Sequence, residues 1–160
     1  MIREYISVIF LFVPCAVFCT GVFFSGNPEL YHKIFFSVES VIILILGTAG
    51  TAAGVLDWNY HRKILGMKIS SKERNAEAAA LGLGGIPLSF LLAAAMHSTE
   101  PKNWLLPIIS VLVFTAVLVS YDEFVFHRKR CSLKETVYHR VLVFGNAGAF
   151  LAWFHLIFGR

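Results

Sequence analysis

The sequence predicts an all-α integral membrane protein of about five transmembrane helices, and three observations carry that prediction. First, 57% of the 160 residues are hydrophobic and only 15% are charged, against about 45–50% and about 25% in soluble domains. Second, the apolar residues fall into five runs of roughly 20 residues, the length that crosses about 30 Å of hydrocarbon. Third, the basic residues gather in two of the loops between those runs. The length allows one domain, a transmembrane unit over residues 1–160 with its first helix peripheral.

Helix 1 is expected near Tyr5–Phe24. It reads as a retained span rather than a signal peptide. Arg3 is offset by Glu4, the apolar stretch exceeds a usual h-region, and no A-x-A site follows. Cys15 and Cys19 lie one helical turn apart within it and read as small buried hydrophobes. Cys131 sits in a basic loop, and without a CxxC neither a zinc ribbon nor a redox dithiol is indicated.

Helix 2 is expected near Ile34–Leu56, helix 3 near Ala76–Met96, helix 4 near Trp104–Phe124 and helix 5 near Val141–Phe158. Gly47, Gly50 and Gly54 in helix 2, and Ala76, Ala78, Ala79, Ala80, Gly82, Gly84 and Gly85 in helix 3, are small residues of the kind that let helix backbones approach. A tight hairpin of helices 2 and 3 is the expectation. Pro87 should kink its helix, and Pro107 should kink or begin one.

Orientation follows from charge. The loop after helix 2 holds Arg62, Lys63, Lys68, Lys72 and Arg74, and the loop after helix 4 holds Arg128, Lys129, Arg130, Lys134 and Arg140. The other two loops hold Lys33 and Lys102 as their basic residues. The positive-inside rule puts the N-terminus in the cytoplasm and the C-terminus outside. The net charge of +4 is thereby absorbed without nucleic acid as a partner.

The two basic loops resemble each other. One reads His61-Arg62-Lys63, then Ser70-Ser71-Lys72-Glu73, then Glu77; the other reads His127-Arg128-Lys129, then Ser132-Leu133-Lys134-Glu135, then His139. An acidic residue precedes each, Asp57 or Asp122-Glu123. Part of the pattern is helix grammar, because S-x-x-E is a capping box. The repeated order nevertheless predicts two parallel hairpins, residues 34–96 and 104–158, related by a pseudo-twofold axis along the membrane normal.

Four helix ends then meet at the cytoplasmic interface, each with a pair of potential ligands on one face: Asp57 with His61, Glu73 with Glu77, Glu123 with His127, and Glu135 with His139. Asp122 can stand in for Glu123. Mixed carboxylates and imidazoles suit first-row metals, so the expected cofactor is two divalent ions, iron before manganese or zinc. Arg62 and Arg128 are the candidates for a substrate headgroup. The arrangement parallels ferritin-like di-metal bundles in architecture, but their Glu-x-x-His spacing is absent, as are the HxxHH boxes of membrane desaturases, so the parallel is an analogy without a family match. The same acids could instead pair with Arg62, Arg74, Arg128 and Arg140 as a solvated rim.

Other polar residues are weaker signals. Glu39 in helix 2 is a functional candidate by default but lies near the outer end, as do His97 and His155. Asn146 is expected to bond a neighbouring helix. Trp58, Trp104 and Trp153 suit interfacial belts. Three functions are compatible: a membrane di-iron oxidoreductase acting on a lipid or other apolar molecule, an ion or small-molecule transporter using Glu39 and the inner acids, and an accessory subunit or homo-oligomer in a membrane complex.

Overall fold

The computed structural model describes residues 2–23, 28–66, 70–127 and 132–159, with 2–4, 28–30, 33 and 127 described by backbone alone. Helix α1 (Ile2–Phe23) is followed by a short α2 (Pro28–Phe35) and by α3 (Val38–Asn59), which ends in a π-helical turn, Tyr60–Ile64. Helix α4 (Ser71–Ala79), a π-helical segment (Ala80–Gly85) and α5 (Ile86–His97) form one rod. A 3₁₀ turn (Pro101–Trp104) leads into α6 (Leu105–Asp122) and its own π turn, Glu123–His127; α7 (Leu133–Phe158) completes the bundle. Among the described residues five helices are long and apolar enough to cross a membrane: Tyr5–Phe23, Val38–Ile64, Ser71–His97, Pro101–Phe126 and Leu133–Phe158.

Three helix starts differ from the hydropathy reading, each for a local reason. The second long helix begins at Val38 because Ile34 belongs to α2 and Ser37 caps a new helix, its Oγ accepting from the Ser40 amide at 3.1 Å. The third and fifth begin early, at Ser71 and Leu133. Hydropathy stops at their charged first turns, whereas Ser70 and Ser132 already cap them, accepting from the Glu73 and Glu135 amides. At Ser132 the reciprocal bond is also made, the Ser132 amide donating to the Glu135 carboxylate. Pro107 lies in the first turn of α6, where its missing N–H is harmless, and Pro87 opens α5 after the π segment.

The close helix pair is α3 with α7, not the expected hairpin of the second and third long helices. A Cβ on Gly145 would stand 2.9 Å from the Leu46 carbonyl oxygen and 3.1 Å from the Gly50 backbone, so two glycines set the approach of these backbones. The small residues of the third rod serve other neighbours: Gly82 faces the Phe10 ring of α1, and Gly84 faces Thr115 of α6. Asn146 donates to Leu142 of its own helix at 2.8 Å while lying against Gly50, so it fills the seam rather than cross-linking it.

The apolar core lies toward the end opposite the basic loops. Phe18 meets Trp153 edge-on with centroids 5.0 Å apart, beside Leu88, Leu92 and Ile108. Trp153 is thus a core residue rather than part of an interfacial belt. At that end Glu39 and His155 face each other at 3.0 Å across α3 and α7. Cys15 and Cys19 are free and half-buried in α1.

Candidate functional site

The four helix ends that carry the predicted pairs do converge. Two ends, α3 and α6, finish in π turns; two starts, α4 and α7, begin at capping serines. A π turn widens the helix and re-aims the side chains on it, and such turns recur at functional sites. The first of them carries His61 and Arg62.

Asp57, His61, Glu73, Asp122, Glu135 and His139 are all buried, with Glu135 at 1% and Glu73 at 2% exposure. Those values remove the solvated-rim reading for these residues, since such groups are almost never fully buried unless paired. The His61 Nδ1 lies 3.0 Å from the Asp57 backbone carbonyl and 3.4 Å from its Oδ1. Its Nε2 lies 2.9 Å from Glu135 Oε1. Glu135 is therefore shared: one oxygen caps α7 and the other meets the imidazole of α3. The second imidazole repeats the theme. His139 Nε2 lies 3.0 Å from Glu123 Oε2, and its Nδ1 lies 3.8 Å from Asp57 Oδ2.

A second layer completes the cluster. Arg62 lies 3.8 Å from Glu77 and 5.2 Å from the Trp58 ring centre. Glu77 is within electrostatic reach of Asp122, Glu73, Arg62 and His61, and Asp122 of His139, Glu73, Glu123 and Asp57. Seven of the eight predicted ligands thus meet, joined by Asp122, which the sequence reading held in reserve and which is buried more deeply than Glu123. The side chain of His127, and Arg128, fall outside the described residues.

Contacts within the cluster run nitrogen to oxygen, pair by pair. Among the described residues no three acid, imidazole or thiol groups surround one point closely enough to hold a metal ion as they stand. Among the described residues, six carboxylates gather with Arg62 and two imidazoles. Buried charge of one sign is costly unless cations accompany it.

A cavity of about 400 Å³ opens from this cluster into the bundle. Comparison with protein-family models, with curated proteins and with solved structures finds no match, so the residues themselves carry the functional reading.

Proposed function

We propose that this chain is an integral membrane metalloprotein that holds two divalent ions, iron favoured, among Asp57, His61, Glu73, Glu77, Asp122, Glu123, Glu135 and His139. Its reaction is the oxidation of a lipid or another apolar molecule. The carrying observation is the gathering of six carboxylates and two imidazoles from four helix ends, the mixed oxygen and nitrogen ligand set that suits first-row metals. Spacing is compatible with the ions. Bonds of about 2.0–2.2 Å at right angles set neighbouring ligand atoms about 3 Å apart, as in the His61–Glu135 and His139–Glu123 pairs at 2.9 and 3.0 Å. That is also hydrogen-bond distance, so metal content and not spacing separates the alternatives.

The chain's own residues have defined parts in this reading. A backbone carbonyl on His61 Nδ1 fixes the ring so that Nε2 is presented to the cluster, the usual second partner of a metal-ligating histidine. Asp57 braces both imidazoles. Arg62 is held by Glu77 and Trp58, which orients it along the cavity wall. Iron bound there would supply the redox chemistry of oxygen activation. The overall change would be insertion of one oxygen atom of O₂ into a C–H bond. The other atom leaves as water, and two electrons and two protons come from an external reductant.

Membrane insertion and orientation belong to the same proposal, as does the repeat. Under a twofold axis relating the hairpins, the pairing of α3 with α7 requires a matching pairing of the α4–α5 rod with α6, and both pairings are present. Glu73 and Glu135 stand at the same third position after their capping serines. In a chain whose three native cysteines are replaced by serine, cysteines placed at Lys63 and Lys129 are expected to label from the cytoplasmic side, and one at Lys102 from the other. Labelling of the first two from opposite sides would sink the topology.

Elemental analysis of purified protein tests the centre directly. About two iron or manganese ions per chain is the expected result, given the ligand number. Zero would favour the second reading, a non-catalytic subunit of a membrane complex, for which the direct histidine–carboxylate pairing speaks.

A further inference from the structure

One polar group of the apolar core stands without a partner. Trp153 is 2% exposed, and its indole N–H meets no hydrogen-bond acceptor among the described residues. A buried indole N–H ordinarily finds one. Lipid tails offer none at this depth of the proposed topology, five residues inside the outer end of α7.

Trp153 lines a small cavity of about 30 Å³ between α1, α3 and α7. Thr51 of α3 and Asn146 of α7 line it too, among mostly apolar neighbours such as Phe18 and Ile43. Thr51 donates its hydroxyl hydrogen to the Leu11 carbonyl at 3.3 Å, and Asn146 donates an amide hydrogen to the Leu142 carbonyl at 2.8 Å. Each keeps a side-chain oxygen that can accept. The walls therefore carry one donor short of an acceptor and two oxygens able to receive a hydrogen. The cavity is far below the roughly 300 Å³ at which small-molecule sites begin, and it exceeds the roughly 10–15 Å³ that one water needs. Along α7, Trp153 and Asn146 stand about 10 Å apart at 1.5 Å per residue. One water does not bridge that distance, and the volume has room for about two.

We infer that this cavity is a water-binding site that holds a hydrogen-bonded pair of waters. The first accepts from the Trp153 indole N–H and donates to the second, which donates in turn to Thr51 and Asn146. The pair links α3 to α7 in mid-span. Glu39 with His155, and His61 with Glu135, join the same two helices near their ends. Between those ends Thr51 bonds to α1 and Asn146 bonds within its own helix, so the waters supply the polar link that these side chains do not make directly. Asn146 also lines the large cavity, which puts the pair one side chain away from the space that opens on the acid–imidazole cluster. The waters require no metal, and the inference stands apart from the metalloprotein reading.

Solid-state NMR of the full-length, ¹⁵N-labelled chain in phosphatidylcholine vesicles tests it, with magnetisation transferred from water protons to the protein. The Trp153 indole signal is identified by its loss in Trp153→Phe. Transfer from water to that indole is expected, while the Leu92 amide of the dry core receives none. Thr51→Val is nearly isosteric and removes one acceptor of the second water; Asn146→Leu removes the other and fills part of the cavity. In each variant the Trp153 signal should remain, which shows the fold intact, and its transfer from water should be lost. Should Asn146→Leu not fold, Thr51→Val carries the test alone. An indole proton shifted upfield by the Phe18 ring, which meets Trp153 edge-on at 5.0 Å, with no transfer from water, would overturn the inference, since the N–H would then point at that ring. Transfer that persists undiminished in the folded variants would overturn it as well.

Discussion

Glu135→Ala is expected to empty the centre and to destabilise the bundle together. Metal content should fall from about two ions per chain to near zero, since Glu135 faces His61 across the two closest-packed helices. Stability should fall by about 3–5 kcal/mol, the usual consequence of removing one partner of a buried charged pair. Loss of the cap adds to that, because the same carboxylate accepts from the Ser132 amide. Glu135→Gln separates the two roles. Its amide oxygen can still accept from Ser132 and its volume is unchanged, but it brings no charge to the cluster. Elemental analysis and thermal unfolding followed by circular dichroism should then show metal lost and most of the stability retained. If Glu135→Gln keeps its full complement of metal, the metal centre is wrong. If instead neither variant holds metal and neither does the parent protein, the cluster is a buried ion-pair network.

Much of this site is legible from sequence because helix geometry is periodic. The i, i+4 spacing of Asp57 and His61, and of Glu135 and His139, is sufficient to put each pair on one face, and the two S-x-x-E caps mark where the lower halves of the site begin. Depth was not legible. Hydropathy reads the first turns of α4 and α7 as loop because Lys72, Glu73, Lys134 and Glu135 are polar, whereas Glu73 and Glu135 face inward among like groups while the lysines stay exposed. The choice between Asp122 and Glu123 turns on where the helix widens into a π turn, which no spacing rule gives. The helix pairing departs from the sequence expectation for a related reason. Small residues announce that some helix comes close, but Gly50 carries no label naming α7 rather than the next rod as its partner. Beyond the cluster at its polar end the cavity left no sequence signal, since the rest of its lining is largely ordinary apolar residues drawn from α1, the α4–α5 rod, α6 and α7.

Gly145→Val is expected to act on the centre from a distance. Asp57 and His61 come from α3, and Glu135 and His139 from α7, so the register and separation of these helices set whether the ligands meet. A Cβ at position 145 would lie 2.9 Å from a backbone carbonyl oxygen and 3.1 Å from the Gly50 Cα of α3. Neither is the tip of a flexible side chain, so the backbones must part. Overpacking of this kind typically costs about 1–3 kcal/mol. Valine, branched at the clashing atom, also forgoes most of the helix propensity that alanine would gain over glycine, about 1 kcal/mol. Gly47→Ala is the matched control on the same seam: its Cβ would meet Ala149 Cβ at 3.8 Å, an ordinary contact, so the propensity gain should leave stability unchanged or slightly higher. Unfolding temperature and metal content measured on both variants decide the matter. Loss of stability and of metal in Gly145→Val, with both kept in Gly47→Ala, means that the α3–α7 approach sets the ligand geometry. Equal behaviour of the two would mean that the seam is loose and that the ligands find one another by some other constraint.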